Sequence, residues 1–213
     1  MASLQSAGAL AAMKERTATL GAWVSEIVLQ TARFDELKGW YAAVLGRDYF
    51  FENEPKAGGE IKDKHGDGGK QVHASDVRAA FMHLEPAPPF NMVFAIFELS
   101  WLDLAPTKDP GINHMQFKHH TLGALVERAE AMRDAGLHPH RSANHGPVTS
   151  FYYRDPDQNI VEMCVNNFDD PQELAAFLAS PSFRSNPSGV DLDRDDFIAR
   201  FRAGATREEL TRF

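Results

Sequence analysis

One cysteine, Cys164, is all the chain has, so it holds no intrachain disulfide framework. It has no apolar run near the roughly 18 residues that a membrane span requires, which argues against a membrane protein. Basic residues are outnumbered by acidic ones, 22 against 30, for a formal charge of -8. Nucleic-acid binding needs clustered Lys and Arg, so no nucleic-acid partner is expected. The opening "MASLQSAGALAAMKERTATLG" lacks the basic start and compact apolar core of a secretory signal, and the cytoplasm is the expected compartment. What is present, 43% hydrophobic and 24% charged residues over 213 positions, is the make-up of a globular chain with a sizeable core.

Order is expected to begin near Trp23. "WVSEIVLQT" alternates and is rich in β-branched residues, as a strand should be. "FDELKGWYAAVLG" spaces Phe34, Leu37, Tyr41, Val44 and Leu45 as a helix does and stops at Gly46. "RDYFFEN", "DVRAAFMHLE" and "NMVFAIFELSW" read as three further strands. A Gly- and Lys-rich interval starting at Pro55 has no period of either kind and reads as a long loop. After the short linker "PTKDPG" the pattern restarts with "INHMQFKHH" as a strand and "TLGALVERAEAMRDAG" as a helix capped by Thr121. "LHPHR" then reads as a short extended piece, and "TSFYYRD" and "NIVEMCVNN" as strands.

The chain therefore reads as α+β, two repeated βαβββ modules over 22–104 and 111–168, making curved mixed sheets around a cleft. Residues 1–21 form an arm, and 169–213 a helical extension with signals at "DDPQELAAFLAS" and "DRDDFIARFRAG". Counting supports the repeat: Glu26 lies eleven residues before Leu37, and His114 eleven before Leu125. Glu98 in "AIFELSW" then answers to Glu162 in "NIVEMCV". Strand alternation puts Glu26 with Val24, Val28 and Gln30, and His114 with Gln116 and Lys118, on the more polar face of each first strand. Glu162 sits between Val161 and Met163, and a carboxylate there needs a compensating partner if buried.

Paired modules opened by "EIVLQT…FDELKGWYAAVLG" and "INHMQF" resemble the vicinal oxygen chelate superfamily of glyoxalases, extradiol dioxygenases and bleomycin- and fosfomycin-resistance proteins. In that superfamily the first and last strands of each module supply metal ligands. The resemblance implies a divalent metal held by Glu26, Glu98, His114 and Glu162, with Fe(II) or Mn(II) favoured by a donor set of three carboxylates and one His. The stretch "HGPVTSFYYRDPDQNIVE" is most similar to the signature of extradiol ring-cleavage dioxygenases. It implies that His145 and Tyr152 act on substrate and protons beside the metal, and that the substrate is a small aromatic diol or an enediol. Three positions depart from the dioxygenase pattern. Glu26 stands in place of the first His, Gln158 in place of a turn Gly, and "PPFNMVFAI" lacks a His before the fourth strand.

The leading expectation is thus a dioxygenase-like oxidoreductase. The alternatives are glyoxalase- or epimerase-like proton transfer, with Glu98 or Glu26 as base, and a binding protein that breaks no bond. The resemblance also makes a homodimer an expected assembly. Cys164 reads as a small buried hydrophobe, and Phe197, Ile198 and Phe201 as a narrow apolar stripe for packing.

Overall fold

The computed structural model describes residue 15 and residues 24–55, 77–85, 87, 92–102, 112–186 and 188–213. The expected arm (apart from residue 15), the loop following Pro55 and the 106–111 linker lie outside the described residues.

The first repeat consists of β1 (Glu26–Thr31), α1 (Phe34–Leu45), β2 (Phe51–Asn53), β3 (Ala79–His83) and β4 (Val93–Glu98). The second consists of β5 (Met115–His119), α2 (Leu122–Asp134), β6 (Arg141–Asn144), β7 (Val148–Arg154) and β8 (Ile160–Asn166). Then come α3 (Pro171–Ala179), α4 (Pro181–Ser185), β9 (Val190–Asp191), α5 (Arg194–Arg202) and α6 (Arg207–Thr211). The α+β class and the βαβββ repeat stand: the sheets are ordered β1-β4-β3-β2 and β5-β8-β7-β6-β9, the same order with one strand added. Among the described residues no helix is long and apolar enough to cross a membrane.

The expected apolar positions form the core. Phe34, Leu37, Tyr41 and Val44 are the buried stripe of α1, which ends at Gly46 in the left-handed region, φ 64°. Leu122, Leu125, Val126, Ala129 and Met132 do the same for α2, whose first turn receives the Thr121 hydroxyl at 3.1 Å from the Ala124 N–H. Each fully buried side chain of this size contributes about 1.5–3 kcal/mol.

Compact packing divides the described chain into one unit of 24–29 with 49–97 and a second of 30–48 with 98–213. In the first, β3 pairs antiparallel with β2 and β4. In the second, β5 and β8 run parallel, β7 pairs antiparallel with β8 and β6, and β9 closes on β6. One β1–β4 bond runs from the Val93 N–H to the Ser25 carbonyl at 2.8 Å, and the Leu99 N–H meets the Thr31 carbonyl at the same spacing. In a parallel ladder the first of these bonds sets Glu26 beside Val93 and Val28 beside Ala95.

Two elements differ from expectation. The second strand of the second repeat is Arg141–Asn144 rather than "LHPHR", because Pro139 has no N–H to give a ladder while Ser142, Ala143 and Asn144 pair with β7. The extension also supplies β9, two residues that are too short to show a period. Of the expected stripe in α5, Phe197 and Ile198 are buried, and the Phe197 ring meets Phe151 edge to face at 5.9 Å.

Candidate active site

The face of the second sheet turned away from α2 carries a row of four side chains in register: Gln116 on β5, Glu162 on β8, Tyr152 on β7 and Arg141 on β6. Alternation puts the buried Val161, Met163, Phe151 and Tyr153 on the opposite face. The polar row is therefore fixed by the same period that builds the core.

Glu162 is 2% exposed and lies among polar side chains. The Ser150 hydroxyl donates to its Oε1 at 2.5 Å, and His114 Nε2 stands 3.1 Å from its Oε2. Ser150 is a site residue the sequence reading missed, although it shares a strand face with Tyr152 in "TSFYY". His114 lies just before β5 and is 39% exposed. Its Nδ1 is 2.8 Å from Asn113 Oδ1, an oxygen that can only accept. With Nδ1 donating, Nε2 meets the carboxylate in one of two ways, as the second N–H of an imidazolium or, when bare, across a shared cation. An imidazole nitrogen and a carboxylate oxygen converging at this spacing suit a first-row divalent ion, so the residues fit the metal that the resemblance implies.

Tyr152 is half-buried, and its hydroxyl lies 2.8 Å from His145 Nε2. Burial, and after it the Glu162 charge, push that hydroxyl up to about 12. His145 follows β6 at the turn into β7, and its Nδ1 is 2.9 Å from the Ser188 carbonyl. The Tyr152 ring takes His114 edge-on at 6.2 Å and the Arg141 guanidinium over its face at 5.7 Å. Arg141 is paired in turn with Asp191 at 3.1 Å. Cys164 is buried on β8, and burial followed by the Glu162 charge raises its thiol to about 12, so it is no thiolate.

Four of the expected site residues, His114, Glu162, Tyr152 and His145, thus stand together in the second unit. Glu26 is the first residue of β1, on its exposed face with Val28 and Gln30. Glu98 ends β4 on the face of Phe94 and Ile96, opposite to the face of Val93, Ala95 and Phe97 beside which Glu26 lies. By sheet register the counterpart of Glu162 in the first repeat is Ala95, since Val28 pairs with Ala95 as Gln116 pairs with Glu162. Among the described residues no group of three or more His, Cys, Asp or Glu is gathered to hold a metal.

Comparison with known proteins agrees with this architecture. The family model of the Glyoxalase/Bleomycin resistance protein/Dioxygenase superfamily matches residues 23–163. The chain is 30% identical over 187 residues to biphenyl-2,3-diol 1,2-dioxygenase 2 of Rhodococcus globerulus, covering 88% of this chain and 85% of that one. It is 28% identical over 191 residues to biphenyl-2,3-diol 1,2-dioxygenase 3 of the same organism, covering 88% and 86%. A solved glyoxylase/bleomycin resistance protein/dioxygenase domain from Frankia sp. EAN1pec superposes with a TM-score of 0.52 at 15% identity, over 68% of this chain and 98% of that chain, a likeness of fold. With two thirds of its length inside the family match, the chain belongs to the glyoxalase/bleomycin resistance/dioxygenase superfamily.

Proposed function

We propose that this protein is an extradiol-type dioxygenase that cleaves the ring of a small aromatic vicinal diol, with biphenyl-2,3-diol, named in its relatives, as the first substrate to try. The observation that carries the reading is the convergence of His114 Nε2 and buried Glu162 Oε2, 3.1 Å apart, on the sheet face that also holds the Tyr152–His145 pair. His114 and Glu162 would hold a divalent ion, Fe(II) or Mn(II). Such an ion, when bound, supplies Lewis acidity for the two diol oxygens and electrons for dioxygen.

The chain's own residues do the rest. A diol binds a cation best after losing a proton, and the proton needs a receiver. Tyr152 Oη and His145 Nε2, 2.8 Å apart, form a two-station path that takes a proton from the substrate oxygen and holds it at the imidazole. Ser150 holds Glu162 in place through Oε1, leaving Oε2 for the cation. Arg141, stacked on Tyr152, keeps that ring fixed in the row.

The test is metal analysis of protein purified without air, together with oxygen uptake on biphenyl-2,3-diol. The expected result is about one Fe or Mn per chain, with both metal and uptake lost in His114→Ala and Glu162→Ala. Glu98→Ala is expected to keep them. Absence of metal in the native protein, even after reconstitution, sinks the reading. Glu26 in place of a His supports a second reading, metal-assisted proton transfer. Metal retained with no oxygen uptake, and with deuterium exchange into an enediol substrate, selects it.

A further inference from the structure

His145 is held from behind by residues beyond the matched 23–163. A carbonyl oxygen carries no proton, so in the contact at 2.9 Å it is His145 Nδ1–H that donates to Ser188. A neutral imidazole has one N–H, and one committed at Nδ1 leaves Nε2 bare. Ser188 O also accepts from Arg141 Nη2 at 3.2 Å, so a single backbone carbonyl serves the two side chains that flank Tyr152.

The approach of this backbone is set by Gly189. Its φ is 78°, in the region where only glycine is unstrained. A Cβ there would lie 2.2 Å from the Asn144 carbonyl oxygen and 2.7 Å from His145 Cα, backbone atoms that have nowhere to go. Around it, β9 pairs Val190 with Asn144 and Asp191 with Ala143, and Asn186 Nδ2 donates to the Gly189 carbonyl at 2.8 Å. The turn is thus tied at both ends against the strand that leads into His145.

We propose that Ser188 and Gly189 are positioning residues: the Ser188 carbonyl, brought in by the side-chain-free Gly189, fixes His145 as its Nδ1–H tautomer, so that Nε2 receives the Tyr152 hydroxyl proton. This rests on the reading of Tyr152 and His145 as the proton-handling pair. It assigns to the C-terminal extension a part in the site that the repeated modules do not supply.

The experiment is nitrogen NMR of metal-free protein labelled at its histidine rings, with the His145 signals identified by their loss in His145→Gln. The native ring is expected to show a protonated Nδ1 and a bare Nε2. In Gly189→Ala the bare-nitrogen signal should move to Nδ1, the Nε2–H form being the one a free neutral imidazole prefers, while backbone amide signals elsewhere stay native. Ser188→Ala keeps the carbonyl and should change nothing. A native ring protonated at Nε2 overturns the proposal, and so does a folded Gly189→Ala that keeps the native pattern. If Gly189→Ala does not fold, Asn186→Ala, which unties the Gly189 carbonyl, takes its place with the same two outcomes. With substrate turnover in hand, Gly189→Ala should lower kcat about tenfold or more with KM nearly unchanged. The tautomer is read without metal or substrate, so lack of oxygen uptake beside the expected tautomer counts against the dioxygenase reading alone.

Discussion

The two sheets share a strand order and differ in what one matching row of side chains carries. Across β5, β8, β7 and β6 the row is Gln116, Glu162, Tyr152, Arg141. Across β1, β4, β3 and β2 the same register gives Val28, Ala95, Phe81, Phe51. One row is polar and holds a buried carboxylate; the other is apolar, with the Phe51 and Phe81 rings 5.7 Å apart and Phe97 5.8 Å from Phe81. Backbone pairing is indifferent to this exchange, because the ladder uses only main-chain groups. A repeated scaffold can therefore keep its hydrogen bonds while its two copies diverge completely in chemistry.

Making the apolar row resemble the polar one is expected to be the costliest change. Ala95 is fully buried beside Phe81, so Ala95→Glu places a carboxylate with no Ser150 or His114 to meet it. A loss of about 3 kcal/mol or more in denaturant unfolding is expected. Next, Tyr152→Phe gives the polar row an apolar ring like Phe81 and removes the donor to His145. It should leave metal content unchanged and reduce kcat by about 100-fold, read as oxygen uptake. The smallest effect belongs to the turn that joins β7 to β8. Gln158, at φ 68°, is the one non-glycine residue with positive φ among the described residues. Gln158→Gly should add about 1 kcal/mol of stability, seen as a higher Tm, without touching the row.

Periodicity made the two repeats legible, since the apolar stripe of α1 and the alternation of β8 are written directly in residue order. The His114–Glu162 pair was legible for the same reason: both fall on the polar face of strands that pair in parallel. Glu98 was not. The likeness of "AIFELSW" to "NIVEMCV" matches Glu98 to Glu162 but leaves the register open, and a shift of one residue moves a side chain to the opposite face. Ser188 was out of reach altogether, because its contribution is a backbone carbonyl that depends on where the chain returns, 43 residues after His145. Gln158 was visible as the departure from a turn glycine, and its left-handed backbone shows what that departure costs.

Asp155, at the start of that same turn, is 1% exposed, and burial raises its carboxyl. It accepts from the Tyr41 hydroxyl at 2.9 Å, 114 residues earlier in the chain, and from the Asn159 N–H and Nδ2 at 2.8 Å each. Arg33, just ahead of α1, donates to the Pro156 carbonyl at 2.7 Å. The helix of the first repeat is thus completed by a loop of the second. Folding has to close a very long segment before Asp155 finds its partner, a costly step in chain entropy and one that slows the approach to the native state. Neither repeat can be cut away and leave the other with its polar groups satisfied.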